Sequence, residues 1–152
     1  PEAGEGAALE QTMGLLRSRQ LFGAAEVQQR SEITGDPAAR VVHRSALDAA
    51  AAVRCFVSAS RATFFLPSED TDRRALLSFA EWCDFVCLLA VQKYGGVGGM
   101  ELGTQLRALV SNLLGEADTR GAIEEATFKT AGGAYDAHSE ASPLHGESED
   151  EL

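Results

Sequence analysis

The sequence predicts an all-α fold: a small bundle of four or five helices with an extended N-terminal arm and a disordered acidic C-terminal tail. Three observations predict it. Apolar residues recur at helical spacing in several separate segments, beginning with Leu9, Met13 and Leu16 and clearest at Leu102, Leu106, Leu109, Val110 and Leu113. Ser, Thr or Asp caps and Gly stops punctuate the intervals between these segments. No stretch alternates apolar and polar residues in the manner of a strand, and no internal repeat is visible.

The elements follow in order. The spacing of Leu9, Met13 and Leu16 predicts a first amphipathic helix over 7–20, with Gly23 ending or bending the chain. Residues 26–40 are polar and contain the turn signal Gly35-Asp36-Pro37, which reads as a linker. Ser45 and Asp48 form a capping signal ahead of the alanine-rich run 46–61, whose stripe is Ala49, Val53, Phe56, Val57 and Ser60. Pro67 and the acidic stretch Ser68 to Asp72 announce a helix over 72–94, apolar on nearly every face and therefore expected at the centre of the bundle. The glycines from Gly95 to Gly99 end it. The leucine stripe from Leu102 predicts the next helix, stopped by Gly115, and Ile123, Ala126 and Phe128 anchor a last one over 118–129. These readings divide the chain into an arm over 1–40, a bundle over 41–130 and an acidic tail over 131–152.

Charge narrows the functional classes. The 152 residues carry 23 acidic and 13 basic side chains, a net charge of −10, which disfavours nucleic acid and anionic membranes as partners. Six of the acids lie in residues 131–152 beside no Lys or Arg, so this tail is expected to be disordered or held by a partner. The most apolar stretch, 75–94, is interrupted by Glu81, Asp84 and Lys93, so no membrane span is expected. Three cysteines are an odd number in apolar surroundings and suggest a reducing compartment. The start at Pro1 fits a processed or trimmed chain or removal of an initiator Met, and the first of these accords with a mitochondrial or plastid interior; the cytoplasm is the other compartment. The terminal Glu149-Asp150-Glu151-Leu152 resembles an endoplasmic-reticulum retrieval signal with its first charge reversed, which disfavours that lumen.

The chemical constellations are sparse. The glycine cluster 95–99 lacks the Lys-Ser/Thr of a phosphate loop and follows no strand, so it reads as a hinge. Cys83 and Cys87 share a helix face but supply only two ligands, and His43, His138 and His145 lack zinc-type spacing; the thiols read as core residues. The same pair resembles half of the twin Cys-x-x-x-Cys motif of small mitochondrial intermembrane-space proteins, whose second pair is missing here. Neither a nucleophile elbow nor an acid pair in apolar surroundings is present. No catalytic, cofactor-binding or metal-binding residue is therefore expected, and no cofactor.

The resulting expectation is a non-catalytic accessory or scaffold subunit of a larger protein assembly, acting through contacts with other protein subunits. The alternatives are a free-standing helical adaptor that binds a peptide or helix, and a small ligand carrier or enzyme. The expected partner-binding residues are Leu9, Met13 and Leu16 on the arm, with Phe79 and Trp82 on the central helix.

Overall fold

The computed structural model describes residues 7–31, 35–60 and 76–132. Along the chain these form β1 (Ala7–Ala8), α1 (Leu9–Ser18), β2 (Gly23–Arg30), β3 (Arg40–Leu47), α2 (Ala49–Ala59), β4 (Leu76–Leu77), α3 (Phe79–Tyr94), α4 (Leu102–Leu114) and α5 (Thr119–Gly132). Strand β1 pairs antiparallel with β4, and β2 with β3. The fold is therefore mixed α and β, and the all-α expectation is corrected.

The correction falls on residues 23–47, read from the sequence as a linker and a capping segment. They form one antiparallel hairpin in register from Gly23 opposite Leu47 to Arg30 opposite Arg40. The buried positions of β3 do alternate, at His43, Ser45 and Leu47, but two of the three are polar, and Val27 is the one buried position of β2. A hydropathy pattern conceals such a strand, because polar side chains can occupy inward positions when their hydrogen bonds are met. Ala24, Ala25 and Ala46 add to the concealment, since alanine favours helices. The Gly35-Asp36-Pro37 signal does mark a turn, that of the hairpin itself. The Asp36 carboxylate accepts from the Ala38 amide at 2.8 Å, the Asp36 carbonyl accepts from Ala39 at 3.1 Å, and Ser31 N donates to Ala39 O at 2.9 Å.

This hairpin also crosses the boundary expected at residue 40, which falls on the first residue of β3. Met13 and Leu16 of α1 belong to the same buried cluster as Leu47, Phe56 and Leu89. The arm is thus packed into the body. Of the tail 131–152, only residues 131 and 132, in the last turn of α5, lie among the described residues.

Local chemistry explains the helix ends. The Asp48 side chain caps α2 by accepting from Ala51 N at 2.6 Å. Helix α3 starts later than expected, at Phe79, behind a reciprocal capping box: Ser78 Oγ accepts from Glu81 N at 3.3 Å and Glu81 Oε2 accepts from Ser78 N at 2.8 Å. The acidic cap expected at 68–72 lies outside the described residues. Gly115, at φ 76°, ends α4 in the left-handed region that glycine tolerates best.

Helix α3 packs against α2, α4, β3 and β4. Phe85, Leu89, Ala90 and Tyr94 are its most deeply buried residues. The Phe85 ring meets Phe56 of α2 edge-on at 5.8 Å and lies 5.3 Å from Trp82. Phe79, one of the residues expected to bind a partner, stands 82% exposed at the first turn.

Candidate functional site

Polar groups buried between the hairpin and the helices are the first candidates for chemistry. Lys93, only 3% exposed in the last turn of α3, donates from Nζ to the Leu21 carbonyl at 2.8 Å and sits 5.6 Å from the Tyr94 ring centroid. Burial lowers its pKa to about 8. Ser45 Oγ donates to the Lys93 carbonyl at 2.9 Å, which fastens β3 to α3. The Tyr94 hydroxyl donates to Asn112 Oδ1, and Asn112 Nδ2 donates to Ala117 O at 2.8 Å. Burial pushes the Tyr94 phenol up to about 12, an effect that hydrogen bonds with Thr119 and Asn112 oppose and the nearby Asp118 charge reinforces.

A second chain of contacts joins the hairpin to α5. His43 Nε2 donates to Gln29 Oε1 at 3.1 Å, Gln29 Nε2 donates to Thr127 Oγ1, and Thr127 Oγ1 donates to Ile123 O at 2.7 Å. His43 Nδ1 and Thr12 Oγ1 are buried with no hydrogen-bond partner among the described residues. Apart from the Thr127–Ile123 bond within α5 and the Lys93–Tyr94 contact within α3, these contacts tie separate parts of the fold together. Lys93 and Tyr94 are too deeply enclosed for a substrate to touch them in this conformation.

A cleft of about 180 Å³ lies between α4 and α5, lined by Thr104, Arg107, Ser111 and Glu125 over a floor of Ala108, Ala122 and Ala126. Ligand sites for small molecules commonly measure about 300–1,000 Å³. This one suits a single inserted side chain better. Among the described residues, no group of three or more His, Cys, Asp or Glu side chains is arranged to hold a metal ion.

The thiols depart from their expected positions. Cys55 is buried, but Cys83 is exposed and Cys87 partly so, which corrects the reading of all three as core residues. Burial raises the pKa of Cys55. A maleimide reagent is therefore expected to label Cys83 fastest and Cys55 slowest in the native protein. Equal rates, measured by mass spectrometry of the digested chain, would contradict this packing.

The outer surface of α4 holds the most unusual arrangement. Its inward side contains Leu109 and Ala108 but also Gln105 and Asn112, both buried. Gln105 Nε2 donates to Met100 O at 3.0 Å, and Asn112 is held by Tyr94 and Ala117. Meanwhile Leu102 and Leu114 are 57% and 61% exposed, Val110 is exposed, and Leu106 and Leu113 are only partly buried. The helix thus encloses polar groups and presents leucines to water. Scattered apolar residues are ordinary on a surface, whereas a row of them on one helix marks a contact site. Leu88 and Val91 of α3 are exposed as well.

Of the five residues expected to bind a partner, Met13 and Leu16 are buried in the chain's own core and Leu9 packs against it. Trp82 is half-buried beside Phe85, and Phe79 alone is fully exposed. The apolar stripe that predicts α4 includes Leu102, Leu106 and Val110 and leaves out Leu114. The sequence held one usable signal: apolar residues occupy more of the α4 circumference than a single buried face needs, while Gln105 and Asn112 fall beside Leu109. No helix among the described residues is long and apolar enough to cross a membrane. No family model, no curated protein and no solved structure matches the chain.

Proposed function

We propose that this chain is a non-catalytic accessory subunit of a larger protein assembly and acts through protein–protein contacts, with the outer face of α4 as its main contact surface. The observation that carries the reading is the exposure of Leu102, Val110 and Leu114 on a helix whose inner side is closed by satisfied polar groups. Full burial of a leucine is worth about 1.5–3 kcal/mol, so a row of them left in water is a reserve of binding free energy that folding alone does not use. Phe79, Leu88 and Val91 of α3 are further exposed apolar side chains.

The test is the native size of the tagged chain in its source extract, compared with a Leu102→Glu, Leu114→Glu variant. The subunit reading expects the wild type to migrate with a large complex and the variant to migrate alone, both with the same circular dichroism spectrum and melting temperature. A wild type that migrates as a folded monomer overturns it. Capture of one short peptide by that monomer would point to the free-standing adaptor.

A further inference from the structure

We infer that the chain pairs with a second copy of itself through the open edge of β2, joining two hairpins into one four-stranded antiparallel sheet. Such a dimer is separate from the contact surface on α4 and can form whether or not the chain joins a larger assembly. Ser31 N donates to Ala39 O at 2.9 Å, so the odd-numbered residues of β2 are the ones that exchange hydrogen bonds with β3, and the amides and carbonyls of Ala24, Glu26, Gln28 and Arg30 point away from it. No backbone hydrogen bond reaches these outward groups among the described residues, and all four residues are exposed. A strand edge of this kind is a template for a further strand, whose main-chain hydrogen bonds supply affinity. The β3 edge is less open. The point that a Cβ would occupy on Gly96, in the loop after α3, lies 3.1 Å from the Arg44 carbonyl, one of the outward groups of β3.

Charge selects the occupant and the register. On the solvent side of the hairpin Arg30 stands directly opposite Arg40, a like-charge pair that is unfavourable across two strands. Arg40 Nη1 donates to the carbonyls of Pro37 and Ala39, while Arg30 has no ion pair among the described residues. Glu26, on the same side of β2, meets Arg44 at 3.2 Å and remains 47% exposed. An antiparallel β2–β2 pairing centred on Gln28 sets Glu26 of each copy opposite Arg30 of the other and Gln28 opposite Gln28, and all of these residues offer outward backbone groups. Centring on Glu26 or on Arg30 opposes like charges, and centring on Val27 matches Glu26 with Gln28 and Arg30 with Ala24, which offsets neither charge. Pairing β3 with β3 around Val42 sets Arg40 against Arg44. The segment Glu26-Val27-Gln28-Gln29-Arg30 is thus complementary in charge to itself when run antiparallel, which is what a second copy supplies. The net charge of −10 on each copy acts against association, but at about 0.15 M salt it is screened beyond about 8 Å, whereas the two Glu26–Arg30 pairs are in contact.

The experiment is light scattering and sedimentation of the purified full chain over a concentration series, with circular dichroism to check that each variant remains folded. The wild type is expected to form a dimer. Gln28→Pro removes the outward amide at the centre of the pairing without touching a β2–β3 bond, and is expected to leave a folded monomer. Arg30→Glu and Glu26→Arg each set like charges opposite one another in the homodimer and are expected to weaken it by about tenfold or more. An equimolar mixture of these two variants restores both opposite-charge pairs and is expected to form a heterodimer. Leu102→Glu, Leu114→Glu leaves the dimer intact. A wild type that stays monomeric throughout overturns the proposal, as does a dimer that survives Gln28→Pro or one that dissolves when the two leucines are replaced. A mixture of the charge variants that associates no better than either alone also overturns it, and this comparison decides the matter even where the proline variant fails to fold. The subunit reading is tested separately, by migration of the α4 variant in the source extract, and stands or falls on that result.

Discussion

Replacing Leu16 with Ala is expected to lower the unfolding free energy by about 2–5 kcal/mol, the range for deleting a fully buried leucine side chain. Leu16 is 0% exposed and shares its cluster with Leu21, Leu47, Phe56 and Leu89, so its removal leaves a cavity bordered by several elements. Phe79→Ala is the matched comparison. Despite removing a larger side chain, it is expected to change stability by less than about 0.5 kcal/mol, because Phe79 is already solvated in the folded state. Denaturant titration of both variants decides the matter. A small loss at Leu16 together with a large one at Phe79 would restore the arm that the sequence suggested, with its apolar face free for a neighbour.

Lys93→Met is expected to remove a rise in stability that the wild type shows in mildly alkaline solution. Burial holds the folded-state pKa of Lys93 at about 8, below its ordinary value of 10.5. Between those two values the unfolded chain carries the proton and the folded chain has released it. Stability rises with pH wherever the unfolded state binds more protons, so the wild type gains through this window. The total is on the order of 3 kcal/mol, and below pH about 8 the whole penalty for burying the charged form is present. Cys55 and Tyr94 act in the opposite sense at higher pH. Their folded-state pKa values are raised, so the unfolded chain loses those protons first and stability falls. The Lys93 contribution is therefore read as the difference between wild type and Lys93→Met, followed by urea titration at several pH values. At neutral pH the variant gains by losing a buried ammonium and loses about 1–3 kcal/mol by leaving the Leu21 carbonyl without its donor. A difference that does not change with pH would show that Lys93 is solvated.

The positions of α2, α4 and α5 and the end of α3 were legible in the sequence, because helix punctuation is local. Asp48 reaches an amide three residues ahead, and Asp118 does the same at Gly121. Gly95 follows the last residue of α3, and Gly115 closes α4 in a conformation that costs other residues more. Charge was equally legible from composition. Long-range packing fixes the hairpin at residues 23–47, the place of α1 in the core and the exposure of Leu102, Val110 and Leu114 on α4. Each of these depends on partners distant in sequence. His43 is acceptable on an inward face because Gln29, itself held by Thr127, meets its Nε2, Ser45 because the Lys93 carbonyl does, and Asn112 because Tyr94 and Ala117 do. A buried polar group costs far less when its hydrogen bond is formed, and a one-dimensional hydropathy pattern cannot record a hydrogen bond whose other half is supplied by a residue many positions away. The exposure of Leu102, Val110 and Leu114 follows from the same pairings, since Gln105 and Asn112 share the inner side of α4 with Ala108 and Leu109.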